Sequence, residues 1–79
     1  MPEQILETVR RMAADVLGVP ATLLSEASGP DSVEEWDSVA HLNLIMAIED
    51  QFQVTFSPEE MESICTLGDL ARLVGRQVN

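Results

Sequence analysis

Glu34-Glu35-Trp36-Asp37-Ser38-Val39-Ala40-His41-Leu42-Asn43-Leu44-Ile45-Met46-Ala47-Ile48-Glu49-Asp50-Gln51-Phe52 is the stretch on which the reading of this chain turns. It reads as a loop that ends at Asp37-Ser38 and a helix that runs on to about Phe52. Asp or Ser ahead of an apolar periodic run starts helices, because a short side-chain oxygen accepts from the unpaired N–H groups of the first turn. No Gly or Pro interrupts residues 39 to 52. Ser38 therefore stands at a helix N-terminus, where free N–H groups and the macrodipole favour an attached or bound anion. Leu42, Ile45, Met46, Glu49 and Phe52 mark one face of this helix, and Leu44, Ala47, Ile48 and Gln51 its neighbour. So wide an apolar arc predicts the most buried helix, in contact with all the others.

Upstream, residues 3 to 17 carry a second helical pattern. Ile5, Val9, Met12, Ala13, Val16 and Leu17 recur at helical spacing. Glu3 and Glu7 come early and Arg10 and Arg11 later, which suits the macrodipole. Gly18 is a C-terminal cap, and Pro20 discourages continuation. Residues 18 to 37 form a long connection. Ala21-Thr22-Leu23-Leu24 predicts a short helical turn, with Leu23 or Leu24 pinning it to the core. Ser28-Gly29-Pro30-Asp31 is a turn cluster. Ser32-Val33-Glu34-Glu35 matches a capping box and predicts one further turn before Trp36, which anchors the loop end through its apolar area. A connection this long in so short a chain is often functional.

Downstream, Gln53-Val54-Thr55-Phe56 alternates like a strand but has no partner strand, so it reads as extended connector. Ser57-Pro58-Glu59-Glu60 opens a short helix: Ser57 caps it, Pro58 suits its first position and Glu60 completes the box. Met61 and Ile64 face inward. Thr66-Leu67-Gly68-Asp69 starts the last helix in similar style, with Leu67, Leu70, Ala71, Val74 and Val78 as its buried stripe. The expected fold is all-α: a small four-helix bundle with three longer helices, one short helix and a long loop between helices 1 and 2, in a single domain over residues 1–79.

Composition narrows the function. Seventy-nine residues bury a limited core and leave little room for a walled substrate pocket. Fourteen Asp and Glu against four Arg and no Lys give a formal net charge of −10. Phosphate backbones and anionic membranes repel such a surface, which argues against nucleic-acid or membrane partners; basic patches on proteins are favoured. An apolar content of 46% is too high for a disordered acidic tail. One Cys forms no internal disulfide and fits the reducing cytoplasm. No signal peptide is visible, and no apolar run is long enough to span a bilayer.

Asp37, Ser38 and His41 invite a catalytic reading. A triad, however, needs a base held by a third group, an oxyanion site and a cleft, none of which the sequence supplies, so no catalytic residues are assigned. Asp31 to Asp37 lacks the alternating ligands, central Gly and terminal Glu of a calcium loop. Cys65 has no nearby His or second Cys, so no metal site is spelled and a structural thiol is the default. Asp37 caps as well as Ser38 does, which leaves the Ser38 hydroxyl free to receive a covalent group. Met12, Met46 and Met61 read most simply as core.

Taken together these residues resemble the acyl carrier protein family. Trp36-Asp37-Ser38-Val39-Ala40-His41-Leu42 through Glu49-Asp50-Gln51-Phe52 is similar to its signature and following helix. The order of Leu17-Gly18-Val19, long loop, serine, Phe-closed helix, Ser57-Pro58-Glu59-Glu60 and Thr66-Leu67-Gly68-Asp69 extends the likeness along nearly the whole chain. The resemblance implies a stand-alone monomeric carrier. Its Ser38, next to the motif residue Asp37, would bear 4′-phosphopantetheine, transferred from coenzyme A by a phosphopantetheinyl transferase. Acyl groups would travel as thioesters on that arm between loading and processing enzymes with basic docking patches. Val39 stands where the family usually has Leu, and Ala40, His41 and Asn43 stand where fatty-acid carriers commonly have acidic residues. Recognition is therefore expected at Glu34, Glu35, Val39, Glu49, Asp50, Glu59, Glu60 and Glu62. The Trp-Asp-Ser and Ala-His-Leu elements suggest polyketide, nonribosomal peptide or other specialised pathways. The competing function is a small acidic helical adaptor without a prosthetic group.

Overall fold

The caps spelled in the sequence close helices in three dimensions. A computed structural model describes residues 2–78, with side chains from residue 4 onward, so that the Glu3 side chain lies outside the described residues. Helix α1 covers Pro2–Leu17. It stops at Gly18, whose φ of 70° is left-handed backbone. The N–H groups of Gly18 and Val19 both return to the Ala14 carbonyl and use up the helix end. Helix α2 covers Ser38–Phe52 and ends at Gln53, also left-handed. Helix α3 covers Pro58–Ser63 with both halves of its capping box formed: the Ser57 hydroxyl accepts from Glu60 N–H, and the Glu60 carboxylate accepts from Ser57 N–H. Helix α4 covers Leu67–Val78. Thr66 Oγ1 accepts from Asp69 N–H, while the Asp69 carboxylate takes Cys65 N–H. The outcome is an all-α bundle in which residues 54–57 connect α2 to α3 without helix or strand; Gln53, expected in that connector, is the left-handed cap of α2.

The core assembles on α1, not α2. The closest helix packing is of α1 with α4 and of α1 with α2. Val9, Ala13 and Ala14 are buried on α1, and small side chains at a contact let two helices approach closely. Leu67, Leu70, Leu73 and Val74 complete the core from α4; Val78, expected in that stripe, is exposed.

Helix α2 buries Leu44, Ile45 and Ile48, but Leu42 is 54% and Met46 64% exposed, contrary to the face read from the pattern. The reason lies in the partner. Six residues of α3 span about 9 Å, against about 22 Å for α2, so part of the apolar arc has nothing to cover it. Phe52 is only half-buried, whereas Val54 and Phe56 of the connector fill the core below α2.

The long connection is fastened at three places. Ala21–Leu23 forms a 3-10 turn held to α1 by Arg10 Nη1, which donates to the Ala21 carbonyl at 3.0 Å. Leu24 pins it to the core, while Leu23 points outward. Further on, Leu67 N–H donates to Ser28 O and Gly68 N–H to Glu26 O, both at 2.9 Å. Gly29 lies so close to Cys65 that any Cβ would overlap its carbonyl oxygen. The turn expected before Trp36 forms, but without the capping box read at Ser32–Glu35. Ser32 Oγ accepts instead from Gly29 N–H behind it, which removes the cap, and a single turn closes from Trp36 N–H to Val33 O.

Candidate functional site

Everything on the chain that delivers Ser38 converges at the start of α2. Asp37 is extended (φ −92°, ψ −175°), and its carboxylate accepts from Ala40 N–H at 2.8 Å. Its carbonyl accepts from His41 N–H at 2.9 Å. Asp37 is therefore the cap, and Ser38 is the first helical residue. The Ser38 side chain is exposed, and its hydroxyl has no hydrogen-bond partner among the described residues. The first N–H groups of a helix have no acceptor within it, so the hydroxyl sits beside uncompensated positive dipole ends.

Behind this serine lies an interaction that the sequence did not announce. Trp36 is 2% exposed, and its indole N–H donates to His41 Nδ1 at 2.9 Å. His41 Nε2 stands 3.2 Å from the Met61 carbonyl of α3. A carbonyl can only accept and an indole N–H can only donate, so the imidazole is the neutral tautomer with its proton on Nε2. Both ring nitrogens are engaged away from Ser38. His41 thus ties the loop, α2 and α3 together and is not poised as a base beside the hydroxyl.

Ser38 lines an open groove of about 640 Å³. Pro30 and Trp36 line it from the loop, Ser38, His41 and Leu42 from α2, and Pro58, Met61 and Ile64 from α3 and its end. Its carboxylates are Asp37 and Glu62. Among the described residues no buried side-chain nitrogen or oxygen lacks a partner, so the groove offers apolar surface without an orphaned polar group. No three His, Cys, Asp or Glu side chains among the described residues are grouped to hold a metal.

Comparison with known proteins bears on this arrangement directly. Residues 7–74 match the family of the phosphopantetheine attachment site. Over 76 residues the chain is 36% identical to an acyl carrier protein of Thermosynechococcus vestitus, an alignment that takes in 95% of this chain and 93% of that one. The chain belongs to the acyl carrier protein family.

As an acyl carrier its cofactor is 4′-phosphopantetheine. The geometry fits that group, because a phosphodiester needs an exposed hydroxyl and is favoured beside free helix N–H groups, and Ser38 has both. Members of the family are carriers rather than catalysts, and they work with phosphopantetheinyl transferases and acyl-processing enzymes. Among the carrier's described helices none is long and apolar enough to cross a membrane.

The acidic residues singled out for recognition fall into two groups. Glu34, Glu35, Asp50, Glu59 and Glu62 are exposed. Glu49 and Glu60 are half-buried and already used within the carrier: Glu49 Oε2 accepts from Phe56 N–H at 2.8 Å, and Glu60 completes the α3 box. Val39 is 67% exposed and stands one turn from Leu42 and two from Met46, so the three form an apolar row leading away from Ser38. Sequence reading named Val39 but put Leu42 and Met46 in the core, because an apolar residue on a wide arc gives no sign of which side is covered. It missed the His41 bridge because a backbone carbonyl partner leaves no mark in side-chain pattern.

Proposed function

We propose that Ser38 carries the phosphopantetheine arm and that the protein passes thioester-bound intermediates between enzymes of a specialised pathway in the cytoplasm, such as polyketide or nonribosomal peptide assembly. The observation that carries this reading is the division of labour at the start of α2, where Asp37 caps the Ala40 N–H and the Ser38 hydroxyl remains exposed and unengaged. The arm supplies a thiol that holds acyl groups. The chain's own residues present the serine, stabilise an anion beside it and offer partners a surface.

That surface is the apolar row Val39, Leu42 and Met46, flanked by Glu34, Glu35, Asp50, Glu59 and Glu62. Apolar contact supplies affinity and the acidic rim guides encounter with basic partners. Glu49 and Glu60 contribute charge but are held in place by their backbone donors. The carrier has no catalysis of its own in this reading, since His41 has both nitrogens occupied.

The test is intact-mass measurement after incubation with coenzyme A, Mg²⁺ and a broad-specificity phosphopantetheinyl transferase. The wild type gains one arm and Ser38→Ala gains none, while its helical signal stays at the wild-type level. A Ser38→Ala protein that still gains the arm places the attachment elsewhere.

A further inference from the structure

We propose that His41 is a positioning residue for attachment of the arm: its neutral ring holds Trp36, and with it the loop end that presents Ser38, and lets Trp36 go when the ring takes up a proton. The proposal rests on the reading that Ser38 carries the arm.

His41 grips both residues that precede Ser38. Its backbone N–H donates to the Asp37 carbonyl at 2.9 Å, and its ring accepts from the Trp36 indole at the same distance. The first bond belongs to the helix and is indifferent to the charge of the ring. The second exists only while Nδ1 has a lone pair to offer. The two rings have centroids 6.0 Å apart and are joined nitrogen to nitrogen, so they meet edge to edge. An aromatic edge carries positive partial charge, and a cation placed there gains none of the attraction that a ring face would give it.

Protonation therefore has a defined consequence. Nε2 keeps the Met61 carbonyl, which accepts from a charged ring as from a neutral one. Nδ1 becomes a second N–H aimed at the indole N–H. Trp36 is 2% exposed, so its donor would be buried without an acceptor, in a fold that leaves no such atom among the described residues. A buried unpaired donor costs more than a hydrogen bond exchanged with water, and the indole turns out into the open groove that it lines. The loop end is then no longer fixed, and Ser38 is offered in many positions instead of one.

Nothing around the ring opposes a positive charge. The carboxylates that share the groove with it are Asp37 from the loop end and Glu62 from α3. On α2 the positions three and four residues away are Asp37, Ser38, Leu44 and Ile45. The loop adds Glu34 and Glu35, α3 adds Glu59 and Glu60, and no Lys or Arg stands between Arg11 and Arg72.

The experiment loads pairs of carriers in one vessel with coenzyme A, Mg²⁺ and a broad-specificity phosphopantetheinyl transferase. Intact mass gives the ratio of the two rates, so the transferase's own response to pH cancels. The pH runs from about 8 to about 5.5, across the range in which imidazoles charge and above that of ordinary carboxyls. His41→Gln keeps an acceptor for the indole and a donor for the Met61 carbonyl but takes up no proton. Trp36→Phe keeps a ring and has no N–H for Nδ1 to oppose. Wild type keeps pace with His41→Gln at the upper end and falls several-fold behind it at the lower. It loses ground on Trp36→Phe likewise, and the ratio of the two variants stays flat. Over the same range the emission of Trp36, the sole Trp, moves to longer wavelength in the wild type and stays in place in His41→Gln, while the helical signal of both is constant. The variants alter opposite ends of one bond, so loss of helix in either leaves the other as reference. A merely structural His41 would leave every ratio flat.

The proposal is overturned if the ratio of wild type to His41→Gln does not change with pH, if Trp36→Phe falls together with the wild type, or if the Trp36 emission holds still throughout. Ser38→Ala separates the two levels. An arm on Ser38 with flat ratios removes the positioning role alone, whereas an arm gained by Ser38→Ala removes the attachment reading and this one with it.

Discussion

At the scale of single residues, Trp36 and Phe52 exchange the weights that their positions in the sequence suggest. Phe52 closes the helical pattern yet is half-buried, while Trp36, in a loop, is 2% exposed and hydrogen-bonded through its indole. Trp36→Ala should cost ~3–5 kcal/mol, as truncation of a buried aromatic does, and Phe52→Ala roughly half as much. Trp36→Phe keeps most of the bulk and loses the bond to His41, for about 1 kcal/mol. Urea denaturation followed by circular dichroism ranks the three variants. A Phe52→Ala protein less stable than Trp36→Ala would return the core to the arrangement read from periodicity. Gly29→Ala has no room beside the Cys65 carbonyl and should destabilise by more than any exposed substitution in the same loop. Such facts are hard to read from a sequence. Ser38 and Asp37 were legible because a helix start has a chemical spelling, whereas the environment of Trp36 depends on a histidine and a carbonyl from two other segments.

Among the elements, caps and helix ends agreed with their spelling at Gly18, Asp37, Ser57 and Thr66, since each is a local interaction over three or four residues. Asp37→Ala should cost about 1 kcal/mol of stability through the lost Ala40 bond, while leaving Ser38 exposed for modification. Thermal denaturation of the variant checks the first part and mass labelling the second. On α1, the hydrogen bond from Arg10, then its charge and that of Arg11, hold the Glu7 carboxyl below its ordinary value of 4.5. A carboxyl lowered in the folded state binds its proton more readily when unfolded. Its contribution is therefore full above the unfolded value and is lost as pH falls through the folded one. The difference in thermal midpoint between wild type and Glu7→Gln should be present at neutral pH and shrink below the ordinary glutamate range; a difference unchanged in acid would detach Glu7 from Arg10. What pattern could not settle was which part of each apolar arc is covered. Leu42 and Met46 look like core on a helical wheel, and only the shortness of α3 leaves them outside.

For the molecule as a whole, charge is distributed unevenly along the chain. Arg10 and Arg11 lie on α1 and Arg72 and Arg76 on α4, so the loop, α2 and α3 carry negative charge alone. Encounter with a basic transferase should slow as salt rises, because exposed charges are screened beyond ~10 Å at 0.1 M ionic strength. Modification rates that stay flat from low to high salt would show that the apolar row governs encounter as well as affinity. The backbone bonds that fasten Glu26 and Ser28 to Gly68 and Leu67 set an order of events in the life of the chain. The loop leading to Ser38 is held by residues made much later, and α4 supplies one whole side of the core around α1. A nascent chain whose α4 is still inside the ribosome thus has the serine but not its setting. Attachment of the arm should wait until α4 has emerged and docked, and a fragment ending at Thr66 should be unfolded and refractory to the transferase. Helix α4, which lies far from the serine in sequence, would in this way act as the licence for its modification.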